Sequence, residues 1–151
     1  MQCWYNMDVT NDFIIFKIND LLCGLNCVDV QEIIRKTKGI SIIKRSPKYV
    51  EGVINIRGEI VSVLNLAVLY NFKEKENKKP PSIIVVNYEG GCFGLLVSEV
   101  LDIISEREGN IEHAPTTPPG MKKEHVKGTL EVNGQLITLL DKHELLCEEP
   151  V

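Results

Sequence analysis

Residues 50–70 read VEGVINIRGEIVSVLNLAVLY and residues 126–146 read VKGTLEVNGQLITLLDKHELL, and the two stretches align without a gap. Val50/Val126, Gly52/Gly128, Gly58/Gly134, Leu64/Leu140 and Leu69/Leu145 coincide, while Ile60/Leu136, Val61/Ile137 and Ser62/Thr138 keep size and polarity. Each stretch has the pattern of a strand, a tight turn, a second strand and the start of a helix. Similarity of this kind within one chain marks a duplicated unit.

Working outward, a second pair precedes the first. Residues 14–34 (IIFKINDLLCGLNCVDVQEII) align with 83–104 (IIVVNYEGGCFGLLVSEVLDII) with one small gap. In both, an apolar β-branched run meets a turn, at Asn19-Asp20 or Glu89-Gly90-Gly91, and a second run follows. Between the halves, residues 73–81 (KEKENKKPP) are charged and end in two prolines, which suits a linker and no central strand. Residues 105–125 carry Pro115, Pro118, Pro119 and Gly120 and read as a long surface loop. The expected division is a tail at 1–12 and a folded region at 13–147, with subdomains of about 13–72 and 82–147 whose strands are free to be exchanged. Each half holds about five short strands and a helix, too little apolar surface to stand alone, so the halves should share a core. The expected fold is mainly β, two pseudo-repeated five-stranded SH3-like barrels packed together, closure being one way to remove exposed strand edges.

Composition narrows the function. The chain has 151 residues and a formal net charge of −4, a balance that favours solubility and argues against a nucleic-acid surface. No run approaches the roughly 18 apolar residues that a membrane span needs, and the first residues lack a basic leader with an apolar stretch. A cytoplasmic location with no membrane insertion is the expectation. Cys3, Cys23, Cys27, Cys92 and Cys147 are odd in number and without framework spacing, so free thiols are expected. Cys23 and Cys27 lack a second Cys or His pair at metal-site spacing, and neither a metal nor a cofactor site is expected. His113, His125 and His143 sit in no catalytic motif and are expected on the solvated surface, as are Glu106/Glu108 and Glu148-Glu149. No phosphate-cradling loop opens a helix, because Glu89-Gly90-Gly91 joins two strands. No enzyme or small-molecule site is read here. The competing class is a small barrel that binds single-stranded nucleic acid, disfavoured by sparse aromatics and unclustered Lys and Arg.

The two copies differ at one instructive place. Asn133-Gly134 is the favoured pair for a two-residue turn in which both residues take positive φ, whereas the first copy has Arg57-Gly58. Arg at such a position costs about 1 kcal/mol relative to Gly. Two readings stay open: an exposed Arg tolerated in a turn, or a planar charged fork kept at a rigid tip to grip a partner's carboxylate or carbonyl.

The stretch Pro47-Lys48-Tyr49-Val50-Glu51-Gly52-Val53-Ile54-Asn55-Ile56-Arg57-Gly58 closely resembles the signature of the CheW family, bacterial chemotaxis coupling proteins. Val30-Gln31-Glu32-Ile33, Gly94-Leu95-Leu96-Val97 and Val100-Leu101-Asp102-Ile103 resemble further family segments in the expected order, from about Phe13 to Leu146. Ser62, Asn65 and Ala67 depart from the family's frequent Pro, Asp and Arg. The resemblance implies a non-catalytic adaptor recruited to membrane-associated arrays, bridging the regulatory domain of the histidine kinase CheA and the cytoplasmic tip of chemoreceptors, a helical hairpin. It places receptor binding in the groove between barrels, at Val30, Glu32, Gly52, Asn55, Arg57, Val100 and Ile103. The aliphatic members would receive a helix's apolar face and Arg57 and Glu32 would set register, although core packing also explains the aliphatics. Kinase contact is implied on a barrel face, with Ile40, Ile42, Val61 and Val63 as candidates.

Gly58→Val is expected to lower stability by about 1 kcal/mol or more, since a β-branched side chain resists positive φ. A thermal melt superimposable on that of the unmodified chain would show that the turn is built otherwise.

Overall fold

Phe13-Ile14-Ile15-Phe16 and Ile83-Ile84-Val85-Val86 are apolar runs without a polar break, and every one of these side chains is buried. A strand that reads this way is covered on both faces, and these two strands organise the molecule. The computed structural model describes residues 10–35, 39–73, 75, 79–107, 110–113 and 116–147, with the backbone alone at Thr10. Cys3, Pro115, Glu108, Glu148 and Glu149, the tail before Thr10 and part of the 73–81 linker lie outside the described residues.

The chain runs β1 (Thr10–Ile18), β2 (Leu21–Asn26), β3 (Val30–Ile34), β4 (Val50–Ile56), β5 (Glu59–Asn65), α1 (Leu66–Leu69), β6 (Ser82–Tyr88), β7 (Gly91–Val97), β8 (Glu99–Arg107), β9 (Val126–Val132), β10 (Gln135–Leu140) and α2 (Lys142–Cys147). Thr10, Asn11 and Asp12, expected in the tail, begin β1 and pair with Arg107, Glu106 and Ser105 of β8. The strands form two five-stranded sheets, one ordered β8-β1-β2-β10-β9 and the other β3-β6-β7-β5-β4.

The order reveals an exchange. The first sheet surrounds the β1–β2 hairpin of the first repeat with β8, β9 and β10 of the second, and the other sheet surrounds β6–β7 with β3, β4 and β5. The charged linker at 73–81 therefore lies between strands of one sheet and marks the seam between repeats, not between sheets. Two parallel joins close the exchange, β2 with β10 and β5 with β7.

Irregularities recur at equivalent positions. A register shift falls between Val50 and Gly52 in β4, and its counterpart in the second repeat lies where Leu139 pairs with Gly128 but Leu140 with Val126. Another falls between Val30 and Glu32 in β3, matched where Ile15 pairs with Asp102 but Phe16 with Val100. Bulges bend strands, and here they curl each sheet around a small core of its own. Phe13, Ile15, Leu130, Ile137 and Leu139 fill one, and Ile54, Val61, Val63, Ile83 and Val85 fill the other. The alternate residues Ile14, Phe16, Ile84 and Val86 join Leu64, Leu95, Leu140 and Leu145 in a central core between the sheets.

Full barrel closure, entertained from the sequence, is corrected by the strand order: the outer strands β8 and β9, or β3 and β4, do not pair with each other among the described residues. Loop segments bridge to the outer edges of β4 and β9 instead. Ser41 makes a two-bond bridge to Val53 of β4 (2.8 and 2.9 Å), and Glu112 does the same to Thr129 of β9 (2.9 and 2.8 Å). One bridge blunts an edge without adding a strand.

The two helices are started alike. Asn65 Oδ1 accepts from the N–H groups of Ala67 and Val68 (3.1 and 3.3 Å), and Asp141 Oδ1 accepts from Glu144 N–H (3.1 Å). Asn65 adds a bond from its amide to Glu51 Oε1 (3.2 Å), which an Asp at this position could not donate. His125 is corrected from surface to core: it is 1% exposed, and its Nδ1 lies 2.9 Å from the hydroxyl of buried Tyr70. That bond joins the segment entering β9 to the end of α1, so it ties one sheet to the other.

Gly52 shows how tightly the bridging loop sits. Its φ is +153°, and a Cβ there would overlap the Ser41 carbonyl oxygen and lie 2.9 Å from Ile40 Cγ2. At Gly128, which lacks a positive φ, a Cβ would meet Ile111 Cγ2 at 2.7 Å and the Glu112 carbonyl oxygen at 3.1 Å, a milder conflict than the backbone overlap at Gly52. Gly52→Ala is expected to cost about 2 kcal/mol or more, and Gly128→Ala clearly less. Chemical denaturation of the two variants checks the order, and equal losses would remove the bridge as the cause.

Candidate functional site

The β4–β5 hairpin closes with Ile56 opposite Glu59, leaving Arg57 and Gly58 as a two-residue turn. Arg57 has φ +50° and Gly58 +85°, matching Asn133 at +52° and Gly134 at +79° in the β9–β10 hairpin. Both turns are of the kind their sequences imply, and Arg57 does occupy a left-handed conformation that Gly would fill more cheaply.

Two neighbours hold it there. Asn55 Oδ1 accepts from Gly58 N–H (2.8 Å), which braces the turn from the strand before it. Glu32, on the edge strand β3, forms a two-pronged ion pair with the guanidinium, with Arg57 Nη1 at 3.4 Å from Glu32 Oε1 and the second prong between Nη2 and Oε2. The Arg57 side chain stays 70% exposed and that of Glu32 24%, so the fork remains open to a partner while one carboxylate fixes its plane.

The other receptor-site candidates divide by burial. Val30 and Val100 are half-buried and pack against the central core. Ile103 stands 58% exposed on β8, next to exposed Leu101 and Asp102. Val30 and Glu32 belong to one sheet and Val100 and Ile103 to the other, each pair on an edge strand at an equivalent bulge. Gly52 is buried, and its lack of a side chain leaves room for the Ser41 carbonyl that bridges to neighbouring Val53.

Among the kinase-face candidates, Ile42 is 86% exposed, and Ile40 is half-buried against the core of its sheet. Val61 and Val63 are corrected: both are fully buried in that core and offer nothing to a partner, because the β5 side chains that point outward are the alternate ones. Ile60, passed over in the sequence, is 64% exposed, and its repeat counterpart Leu136 is 62% exposed. Strict alternation on either side of Val61 would have found both.

Among the described residues no group of three His, Cys, Asp or Glu is placed to hold a metal ion, and Cys23, Cys27, Cys92 and Cys147 are free thiols. Burial raises the Cys23 thiol well above its ordinary range. No helix among the described residues is long and apolar enough to cross a membrane.

A family model for the CheW-like domain matches residues 12–149. The chain belongs to the CheW-like family. The chemotaxis protein CheW of Thermotoga maritima is 31% identical over 133 residues, covering 88% of this chain and 85% of that protein. That of Klebsiella aerogenes is 28% identical over 141 residues, covering 93% and 84%. The crystal structure of the scaffolding protein TtCheW from Thermoanaerobacter tengcongensis superposes with a TM-score of 0.83 at 28% identity, covering 91% of this chain and 92% of that one. Membership in the CheW-like family accounts for the doubled sheets and for the signature around Arg57. Asn65, which departs from the family's frequent Asp, keeps the capping function through its side-chain oxygen.

The exposed pair with Glu32 is worth at most about 1 kcal/mol, less than or equal to the cost of holding Arg at positive φ. Arg57→Gly is therefore expected to leave stability unchanged or raise it by up to about 1 kcal/mol, read from urea denaturation. A clear fall would mean that the Glu32 pair outweighs the backbone strain.

Proposed function

We propose that this chain is a non-catalytic chemotaxis scaffold of the cytoplasm, recruited to membrane-associated arrays, where it couples chemoreceptors to the histidine kinase CheA. Residues 10–147, the two sheets with their helices, act as the working unit. Family membership and a solved relative described as a scaffolding protein support the scaffold role, and relatives named as chemotaxis proteins supply the setting.

The observation that carries the reading is the placement of Arg57. A left-handed arginine, braced by Asn55 and oriented by Glu32, costs local stability and keeps an oriented guanidinium outward. Such a fork suits a carboxylate or the free carbonyls at a helix end of the receptor tip. Val30, Val100 and Ile103 supply the apolar contact, while Gly52 and Asn55 shape the turn and loop that carry it. On the kinase side, exposed Ile42 over half-buried Ile40 offers an aliphatic face to the regulatory domain of CheA, itself built of similar sheets.

Arg57→Asp reverses the charge at the tip and opposes Glu32. In a reconstituted array of receptor, kinase and this chain, it is expected to abolish receptor-dependent control of autophosphorylation while the thermal melt stays cooperative. Undiminished control by the folded variant would reject Arg57 as the receptor contact.

A further inference from the structure

At the far end of β5 from the Arg57 turn, a different surface takes shape. Seven residues of strand separate the two, about 20 Å at the usual rise. Here the chain leaves α1 through Phe72 and passes the β1–β2 turn, and an apolar trough opens along this junction. One recess of about 470 Å³ is walled by Ile18, Leu21, Phe72 and the Pro118-Pro119 pair. A second, of about 400 Å³, extends to Val68 and Leu96. Ile18, Asn19, Phe72 and Lys75 line both, so the recesses are one trough with the Asn19 turn across its middle.

That turn is fixed. Asn19 N–H donates to Ser98 Oγ and its side-chain amide donates to Lys73 O, both at 2.8 Å. The walls are thus formed before any ligand arrives, and Val68, partly exposed on α1, leaves apolar surface facing outward.

The rim is basic. Lys73 and Lys75 line the trough, Lys75 pairs with Asp20, Lys79 pairs with Glu99 (2.8 Å), and Lys17 acts on both carboxylates. The hydrogen bond and charge of Lys75 hold the Asp20 carboxyl below its ordinary range. Among the described residues of this rim, four lysines (Lys17, Lys73, Lys75 and Lys79) stand with two carboxylates (Asp20 and Glu99), in a chain whose formal net charge is −4. The Asp20 and Lys75 side chains are 77% and 53% exposed, so water screens their pair and an incoming acid can replace it.

We propose that this trough docks a short acidic amphipathic segment of another protein, its aliphatic side chains against Leu21, Phe72 and Val68 and a carboxylate taking the place of Asp20 on Lys75. Asp20 is then an internal competitor. This surface is independent of the Arg57 turn.

The test is an NMR titration of the full chain with a short synthetic peptide of Leu, Ala and Glu, its Leu residues at helical spacing, beside a counterpart with Lys for Glu. The acidic peptide is expected to shift the amides of Val68, Phe72 and Leu96 and to weaken with added salt. Lys75→Glu should weaken it by about tenfold and Asp20→Asn should strengthen it by about threefold. Arg57→Asp should leave it unchanged, which separates this site from the receptor reading. No shift at those amides, equal shifts with the Lys peptide, or indifference to both variants would overturn the proposal. So would Lys75-dependent binding to phosphatidylglycerol vesicles without peptide binding, which would assign the trough to a lipid surface.

Discussion

Burial of β1 and β6 on both faces is the condition on which the rest of the molecule depends. Ordinarily an antiparallel strand has one apolar face and one wet face, and two such sheets make a simple sandwich. Here Phe13 and Ile15 point into the curl of one sheet, Ile83 and Val85 into the curl of the other, and Ile14, Phe16, Ile84 and Val86 meet between them. Neither sheet satisfies its central hairpin alone. Each hairpin is donated from the opposite repeat, so the chain cannot complete either sheet without both halves present. The Tyr70–His125 bond then adds a polar tie at the junction, where a buried hydroxyl and a buried imidazole satisfy each other.

Much of this is legible in the sequence because it is local. Two-residue turns at Arg57-Gly58 and Asn133-Gly134 announce themselves by composition, and the doubled pattern tells that two units share a core. Strand exchange is a different kind of information. A β1–β2 hairpin presents the same alternation whichever repeat supplies its neighbours, so both arrangements fit the sequence equally well. His125 reads as a surface residue for a similar reason: it sits among Lys122, Lys123, Glu124 and Lys127, and its buried partner Tyr70 is supplied by the other repeat. Val61 and Val63 look like a binding face only while β5 is treated as uniformly apolar, because which alternate residues turn outward depends on where the core lies. The trough beside Asn19 is assembled from the β1–β2 turn, α1, the end of β7 and the Pro118 loop, a conjunction that no single stretch of sequence displays.

The candidate site illustrates how a local rule can be broken with a purpose. Asn133 fits its turn and Arg57 does not, although the two hairpins are otherwise superimposable in plan. Asn55 and Glu32 make up part of the deficit through one backbone bond and one exposed ion pair. The duplicated hairpin acts as an internal control: the same strand, turn and bulge tolerate the easier residue when no outward charge is needed. The contrast gives Arg57 a physical meaning that its exposure alone would not.

One sheet is written continuously, from β3 at Val30 to β7 at Val97, while the other is split around it, with Thr10 of β1 answered only by Arg107 of β8. As the chain emerges during synthesis, the uninterrupted sheet has all its strands available first. The opening hairpin must wait for a span of the chain to pass before its own neighbours exist, and closing so long a loop is entropically slow. Assembly order is thereby built into connectivity: the inserted sheet offers the template on which the β1–β2 hairpin waits for β8, β9 and β10 before it finds its place.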